Sequence, residues 1–210
     1  MGYLKFSLAG FPQFIDSLIQ CYRDVFAGEP WNEWKRCPAC GQQYGYGQCN
    51  GSTCQCGHVL VDFWPPGQVR ADLSAELGKD AICWLAIERN NEVVGFVWSY
   101  PLEAPALEAK VGLSGAAAAI RQFNASASVA YLDEIGVARD FRRQGIARHL
   151  YTYQVNELCC YRGINTLVTR TKGIPSAVAY GWFLRLGFQV IARYSAPDDR
   201  VILARSVSVY

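Results

Sequence analysis

The sequence lacks the features by which membrane proteins and exported proteins are usually recognised. No stretch approaches the about 18 consecutive apolar residues that span a bilayer, and the nearest is a short alanine-rich run at residues 116–120. No basic leader precedes an apolar segment as in a signal peptide, and residues 1–6 lack the Ser or Thr of a myristoylation motif. We therefore expect a cytoplasmic protein that has no membrane partner.

An excess of basic charge is also missing. The chain has 20 Lys and Arg residues against 18 Asp and Glu residues, a formal net charge of +2 and a pI of about 8.1. Proteins dedicated to nucleic-acid binding normally show clustered Lys and Arg on one face. The charge therefore argues against nucleic acid as the partner, and the sequence leaves a homodimer open.

The chain has enough apolar material for one domain of ordinary size, because 51% of its 210 residues are hydrophobic. From residue 28 to residue 67 the composition changes abruptly. Prolines, glycines, tryptophans and cysteines replace any periodic apolar pattern there. We therefore predict a single domain over residues 1–210 that carries a cysteine-rich insert at residues 28–67.

Apolar periodicity outside the insert predicts a mixed α/β chain with an antiparallel ending. For residues 101–127 the sequence leaves a helix around residues 116–123 and a mobile excursion equally open. The predicted strands are residues 3–8, 81–88, 92–100, 131–137, 165–171, 187–194 and 200–209, and the predicted helices are residues 14–26, 68–77, 176–186 and one that begins at Ile146.

Nine cysteines fall into two groups. Five crowd together in the insert: two in a CPACG motif at residues 37–41, two in a CQCGH motif at residues 54–58, and one in the glycine-rich loop between the motifs. Such spacing lets two tight turns present thiolates to one tetrahedral zinc ion. The crowded cysteines are Cys37, Cys40, Cys49, Cys54 and Cys56.

We expect Cys37 and Cys40 to be ligands of a structural zinc ion, with two more ligands among Cys49, Cys54, Cys56 and His58. Disulfides are the competing explanation, but an odd number of clustered cysteines would leave one over and no secretory signal supports an oxidising compartment. The other four cysteines lie in apolar segments, where free Cys behaves as a small hydrophobe. We expect these four to be buried: Cys21, Cys83, Cys159 and Cys160.

The insert could instead bind nucleic acid, as some zinc ribbons do. Its tryptophans and tyrosines could stack on bases, although Lys35 and Arg36 are the only basic residues close to them. We favour a zinc staple that supports the substrate side of an enzyme.

The stretch from Tyr131 to Tyr161 has the pattern strand, turn, helix. Its turn reads RRQGIA at residues 142–147 and leads into apolar residues at helical spacing. Free backbone N–H groups at the start of a helix, the positive end of the helix dipole and two nearby guanidinium groups together form an anion site. The sequence therefore predicts a binding site for a diphosphate or a similar anion.

These residues carry a resemblance to a known family. The motif LDEIGV at residues 132–137, the RRQGIA turn and the motif YGWFLRLGF at residues 180–188 resemble the GNAT superfamily of acetyl-CoA-dependent N-acetyltransferases. The resemblance covers the first helix and the chain from about residue 68 onward. It implies an α/β (α+β) fold with a central, mixed, mostly antiparallel twisted sheet flanked by helices, in which the zinc-stapled insert follows the first helix.

The resemblance also implies a binding site for acetyl-CoA. The backbone amides of Arg143, Gln144, Gly145, Ile146 and Ala147, with the side chains of Arg142 and Arg143, would hold the CoA diphosphate. The main chain of Ile135 and Val137 would pair with the pantetheine arm like an added strand, and the Val137 N–H would polarise the thioester carbonyl. Ser176 stands where many family members have an Asn that contacts the cofactor.

Acetyl transfer needs a neutral amine, so a base is expected near the end of the strand. Asp133 and Glu134 are the candidates, but alternation along a strand points them to opposite faces unless a bulge intervenes. The family's usual acid, a Tyr, is replaced by Phe183, so Tyr180 or water would protonate the CoA thiolate, or no acid is needed.

The sequence therefore predicts an N-acetyltransferase that transfers an acetyl group directly to an amine, either a small molecule or a protein. The alternative is a non-catalytic, acyl-CoA-responsive or nucleic-acid-binding protein, suggested by Phe183 and by the aromatic-lined insert.

Overall fold

The computed structural model describes residues 1–49, 51–124 and 128–207. Strands and helices are interspersed along the chain. The strands are β1 (Gly2–Phe6), β2 (Lys35–Arg36), β3 (Gln43–Tyr44), β4 (Val61–Asp62), β5 (Ile82–Ile87), β6 (Val93–Glu103), β7 (Ser128–Val137), β8 (Thr166–Lys172), β9 (Gln189–Arg193) and β10 (Arg200–Ser206). The helices are α1 (Ile15–Phe26), α2 (Pro66–Leu77), α3 (Ala104–Val111), α4 (Ala116–Phe123), α5 (Ile146–Arg162) and α6 (Val178–Arg185).

Seven strands form the central sheet, in the order β1-β5-β6-β7-β8-β10-β9. Every neighbouring pair is antiparallel except β7 and β8, which run parallel. The predicted mixed, mostly antiparallel sheet is therefore confirmed. The helices cover both faces of this sheet: α1 to α4 contribute to one hydrophobic core, and α5 and α6 contribute to the other.

Side chains of successive residues in the central strands enter opposite cores, as strand geometry requires. On β6, Phe96 and Trp98 face the core under α1, whereas Val97 faces the core under α5. Each of the three is fully buried. The two cores therefore fix the facing of β6 and, through the pairing of β6 with β7, the facing of the strand that carries the LDEIGV motif.

Most predicted elements are present with shifted ends. The structure starts α2 at Pro66, two residues before the prediction, because proline fits the first turn of a helix. Strand β6 runs past the predicted end at residue 100, to Glu103. The uncertain segment contains two helices, α3 and α4, and α4 coincides with the predicted helix at residues 116–123. Residues 125–127 and the predicted end of the last strand, residues 208–209, lie outside the described residues.

The insert contains a small second sheet in the order β3-β2-β4. Its own core consists of Cys37, Cys54 and Leu60. It is tied to α1 by an ion pair of 2.9 Å between Arg23 and Asp62. A core of three side chains is too small to hold a fold by itself, so the segment needs another source of stability.

Two of the four scattered cysteines are placed as expected, since Cys21 and Cys83 are buried. Cys159 is half-buried, and the expectation for Cys160 is wrong, because this residue lies on the exposed side of α5 near its C-terminal end. Of the helices in the described ranges, none has both the length and the apolar character that a membrane crossing requires.

Candidate active site and cysteine cluster

The central sheet opens between β7 and β8. Within the described residues the two parallel strands pair at Ala130 and Tyr131 of β7, whereas the pairing of β7 with β6 continues to Val137. The N–H of Ala138 donates to the Val94 carbonyl at 2.9 Å. Since successive residues of a strand alternate, the N–H groups of Val137 and Ile135 point to the opposite side, where β8 has diverged. This side of β7 is open to a ligand in the manner of a sheet edge.

A β-bulge lies at the point where the strands diverge. Trp98 of β6 is opposite Glu134, but the next residue, Ser99, is opposite Leu132, so Asp133 is the additional residue. A bulge breaks the strict alternation of facing. Asp133 and Glu134 consequently line the same cavity, and the sequence-based condition for both to serve one site is met.

The first cavity, of about 440 Å³, will be called the carboxylate cavity. Aromatic rings from α1, the insert and β6 form much of its wall, including Tyr22, Trp31, Trp64 and Trp98. Carboxylates that line it are Glu33, Asp72, Glu76, Asp133 and Glu134, and the basic residues are Lys79, Lys110, Arg170 and Arg200.

Asp133 is held by its neighbours. Its Oδ2 accepts a hydrogen bond of 2.7 Å from the Tyr100 hydroxyl and lies 2.9 Å from Lys110 Nζ. Lys110 also contacts Glu76 at 2.9 Å, and Glu76 accepts a 3.1 Å hydrogen bond from Trp98 Nε1. The Asp133 side chain is 6% exposed. The Asp133 carboxylate is therefore part of a buried ionic network that joins α2, α3, β6 and β7.

Glu134 is placed differently. Its half-buried carboxyl group has no hydrogen bond or ion pair with any residue that the structure describes. Burial, followed by the negative charges of Asp133, Glu76 and Glu33, raises the pKa of Glu134 well above its usual value. A raised pKa makes a carboxylate a stronger base than an ordinary Glu, which suits it to accept a proton.

The second cavity, of about 550 Å³, lies at the start of α5 and will be called the arginine cavity. Ile135, Gly136 and Val137 of β7 form one wall. The RRQGIA turn contributes Gly145, whose φ of 79° suits glycine, and Arg143, whose φ of 63° is uncommon for a residue with a Cβ. Four guanidinium groups line the cavity: Arg142, Arg143, Arg148 and Arg185.

The arginine cavity contains most of the predicted cofactor residues. Ile135, Val137 and the residues of the turn line it, with the exception of Gln144, whose side chain donates to the Asp140 carbonyl at 3.4 Å. Ser176 is exposed, and among the described residues it is the neighbouring Ala177 that lines the cavity. Sequence reasoning missed Arg148 and Arg185, although Arg148 lies one turn into a helix that begins at an anion site.

Tyr180 and Phe183 both lie on α6, several other residues of which line the arginine cavity. Phe183 is 2% exposed and belongs to the core under α5. Tyr180 packs against the same core and is not among the described residues that line either cavity.

The two cavities adjoin one another. Trp31 of the insert and Thr171 of β8 line both of them. Consecutive residues of β7 also divide between them, with Glu134 in the carboxylate cavity and Ile135 in the arginine cavity. A molecule bound along the open side of β7 would therefore end close to the carboxyl groups.

Four of the five clustered cysteines meet in the insert. The Sγ atoms of Cys37, Cys40, Cys54 and Cys56 all lie within 4.8 Å of one another. The separation is 3.4 Å between Cys37 and Cys56, 3.6 Å between Cys40 and Cys54, and 3.7 Å between Cys40 and Cys56. Four thiolates at about 2.3 Å from a tetrahedral zinc ion would lie about 3.8 Å apart. The donor atoms and their spacing therefore fit a zinc site.

Each cysteine pair sits on a tight turn. The Gly41 N–H donates to the Cys37 carbonyl at 3.0 Å, and the Gly57 N–H donates to the Cys54 carbonyl at 2.9 Å. Cys49 packs against the insert core and is not in the group of four, and His58 Nδ1 lies 3.6 Å from Cys56 Sγ at its edge.

Comparisons with known proteins give the family. The model of the acetyltransferase (GNAT) family matches residues 54–188, whereas no curated protein matches the chain. Solved structures share its fold at low identity. Arylalkylamine N-acetyltransferase 2 from Aedes aegypti has a TM-score of 0.60 at 15% identity, covering 99% of both chains. NAA60 from Arabidopsis thaliana, in complex with a bisubstrate analogue, has a TM-score of 0.59 at 15% identity, covering 98% of this chain and 97% of that one.

An aminoglycoside 6'-N-acetyltransferase complexed with coenzyme A has a TM-score of 0.58 at 13% identity, covering 100% of this chain and 99% of that one. These likenesses support the fold. Because the family model matches more than half of the chain, the protein belongs to the acetyltransferase (GNAT) family and is an acyltransferase.

Proposed function

We propose that the protein transfers an acetyl group from acetyl-CoA to a primary amine by direct attack, with CoA in the arginine cavity and the amine in the carboxylate cavity. The observation that carries this proposal is the junction of the two cavities at the open side of β7. A donor that extends along β7 from the start of α5 would place its reactive end beside Glu134.

The CoA diphosphate would bind at the start of α5, where the first backbone N–H groups of the helix have no partner within the helix. Arg142 and Arg143, with Arg148 and Arg185, would supply the positive charge. The pantetheine arm would pair with the backbone of Ile135 and Val137. The carbonyl of Val137 accepts a 3.0 Å hydrogen bond from Arg142 Nε, so Val137 would meet the donor through its N–H, which points to the open side of β7 and would polarise the thioester oxygen.

Glu134 would be the general base. It would take a proton from the bound ammonium, and the neutral nitrogen would attack the thioester carbon to form a tetrahedral intermediate. Collapse of this intermediate breaks the C–S bond and releases the amide and the CoA thiolate, and the second nitrogen proton leaves to solvent. Asp133, the other candidate base, would instead hold Lys110 and Tyr100 in place, because its Oδ2 is already engaged by both.

The departing thiolate needs little help, because a thiol pKa of about 8.5 makes it a fair leaving group. Of the options for the acid, the position of Tyr180 favours water or no acid. The assignment of Tyr180 as acid would require α6 to present its hydroxyl to the junction of the cavities.

For residues 28–67 we propose a zinc-stapled insert in which Cys37, Cys40, Cys54 and Cys56 hold one ion. Four protein ligands would leave the metal no open position, so its contribution would be structural. Free thiolates persist in a reducing compartment, whereas disulfides form in an oxidising one. For this reason we propose a cytoplasmic location.

Two measurements test the proposed function. Isothermal titration should show one acetyl-CoA site per folded chain. Release of free CoA should then accelerate with at least one member of a panel that contains 2-phenylethylamine, kanamycin and a peptide with a free N-terminus. Binding of acetyl-CoA without release by any amine would favour the non-catalytic, acyl-CoA-responsive alternative, and absence of binding by the folded protein would refute both.

A further inference from the structure

The two short strands β2 and β4 of the insert connect the cysteine cluster with the carboxylate cavity. Cys37 directly follows β2, whereas Glu33, two residues before the same strand, lines the cavity. Trp64, two residues after β4, also lines the cavity. Its Nε1 donates to Glu33 Oε2 at 2.8 Å, so these two residues form one unit of the cavity wall.

Several contacts transmit the position of the cluster to this wall. Lys35 and Asp62, which are opposite each other on β2 and β4, form an ion pair of 2.6 Å. The Phe63 N–H donates to the Trp34 carbonyl at 3.2 Å, one residue from both Glu33 and Trp64. At the other end, the Tyr44 hydroxyl contacts Cys54 Sγ at 3.2 Å. A displacement of the cysteines would therefore move β2 and β4, and with them the wall.

The cavity contains two carboxyl groups, those of Glu33 and Glu134, whose negative charge is not compensated by a basic side chain in the described part of the chain. Neither forms an ion pair with a residue that the structure describes. Burial raises the pKa of Glu33, and the charge of Glu33 contributes to the raised pKa of Glu134. Carboxylates that are partly withdrawn from water are favoured by a neighbouring cation, so these two half-buried groups indicate that a cationic ligand belongs here.

The basic residues of the lining already have their own contacts. Lys110 contacts Glu76 and Asp133, Arg200 is paired with Asp198, Arg170 Nη1 donates to the Val111 carbonyl at 3.3 Å, and Lys79 Nζ lies 4.9 Å from the centre of the Tyr100 ring. A ligand that carries a carboxylate would add a third negative charge beside Glu33 and Glu134, while each basic residue of the described lining is already in contact with another group. The aromatic faces of Trp31 and Trp64 suit a flat, apolar carrier.

We propose that the insert is the acceptor-recognition element of the enzyme: Glu33 binds the acceptor ammonium, Trp64 packs on a flat apolar carrier, and the cysteine cluster holds both through β2 and β4. This inference rests on the proposed function and adds a substrate class, a primary amine on a flat apolar body without an acidic group. Glu33 and Trp64 are then specificity-determining residues, distinct from the base Glu134.

The first test compares 2-phenylethylamine with L-phenylalanine, which adds a carboxylate to the same ring and amine. The wild-type enzyme should use the first and discriminate against the second. Glu33→Gln should raise the KM for 2-phenylethylamine about tenfold to hundredfold, the value of a charge-assisted contact, while the KM for acetyl-CoA stays within about twofold. Trp64→Leu should have the same selective effect, and Glu103→Gln, the same change at an exposed residue, should have none.

The second test addresses the cysteine cluster. Cys40→Ser should raise the KM for 2-phenylethylamine and leave the Kd for acetyl-CoA unchanged, because no described residue of β2 or β4 lines the arginine cavity and the insert reaches it only through residues 29–31, which precede β2. In the Cys40→Ser background, Glu33→Gln should raise the KM for 2-phenylethylamine by a smaller factor than it does in the wild type, because both residues act through the same cavity wall. If Cys40→Ser does not fold, Glu33→Gln and Trp64→Leu decide the recognition proposal by themselves.

Three results would overturn the inference. The first is an unchanged KM for 2-phenylethylamine in both Glu33→Gln and Trp64→Leu. The second is an equal rise of the KM values for the amine and for acetyl-CoA. The third is a wild-type enzyme that acetylates kanamycin or L-phenylalanine but not 2-phenylethylamine. Failure of the proposed function looks different, since then the wild-type protein releases no CoA with any amine.

Discussion

Replacing Glu134 by Gln separates a catalytic carboxyl group from a structural one. The change keeps the size of the side chain and removes its charge and its titration. Because the pKa of Glu134 is raised in the folded protein, the native state binds the proton more tightly than the unfolded chain does. The stability of the wild type therefore falls as pH rises from the usual Glu value, about 4.5, through the raised value, and the loss persists at higher pH.

Glu134→Gln removes this penalty. At pH 8 we expect the variant to unfold at the same denaturant concentration as the wild type or at a higher one, and the two proteins should converge near pH 4. No hydrogen bond or ion pair of the Glu134 side chain is lost, because the carboxyl group makes none with the described residues. A positioned general base contributes about 10²-fold to 10⁴-fold, so kcat/KM at pH 8 should fall by about that factor. The combination of lower activity and undiminished stability is the expected signature.

The pH profile gives an independent readout. In the wild type, kcat/KM should fall as pH decreases through the raised pKa of Glu134, at a pH above the usual Glu value. This decrease at low pH, the acid limb of the profile, should disappear in Glu134→Gln. CoA release, measured with a thiol reagent at each pH, reports the rate directly. A loss of less than tenfold, or an unchanged limb in the variant, would refute the assignment of the base.

Asp133→Asn is the matched control, since it makes the same chemical change one residue earlier. It weakens contacts to Lys110 and Tyr100, and hydrogen bonds to charged groups are each worth about 1.5–3 kcal/mol. We expect Asp133→Asn to lower the free energy of unfolding by about 2 kcal/mol and to retain the acid limb. A stable Asp133→Asn variant that has lost the acid limb would indicate that Asp133 is the base and that Glu134 is not.

Three further predictions concern the cofactor, the metal and the acid. Arg143→Glu should weaken acetyl-CoA binding by at least about tenfold in isothermal titration without lowering Tm, because the side chain is exposed, whereas Arg89→Glu in the β5–β6 loop should bind normally. Metal analysis should give about one zinc per chain. Cys54→Ser should lose the metal and have a lower Tm, whereas Cys49→Ser should keep the metal and the wild-type Tm. A metal-free wild type would contradict the site. Tyr180→Phe should retain kcat within about threefold, and a loss of about 10²-fold would indicate that Tyr180 is the acid.

The parts of the fold that depend on local pattern could be predicted from the sequence. Helix α5 repeats Ile146, Leu150 and Leu158 on its buried side, and the spacing of such residues is visible without any knowledge of what covers them. The start of α5 could also be predicted, because the glycine-containing RRQGIA turn directly precedes this apolar pattern in the sequence. The exposure of Cys160 was not, because an apolar segment does not reveal which of its sides stays uncovered.

The parts of the site that depend on tertiary contacts could not be predicted. Lys110 lies in the segment that the sequence left open, and it reaches Glu76 and Asp133 only because α3 packs beside β6 and β7. Arg185 enters the arginine cavity from α6, far along the chain from the turn. The grouping of Cys54 and Cys56, rather than Cys49, with Cys37 and Cys40 likewise depends on how the glycine-rich loop folds back.

The register of β6 against β7 explains why the two candidate bases have different environments. A regular strand would point Asp133 and Glu134 to opposite faces, and one of them would enter the core under α5. The bulge at Asp133 lets its carboxylate turn toward Lys110, while Glu134 stays opposite Trp98 and faces the same cavity. The network around Asp133 then places a fixed negative charge next to Glu134, which adds to burial in raising its pKa. Asp133 would thus act on the reaction through Glu134, so its removal should shift the acid limb to lower pH rather than abolish it.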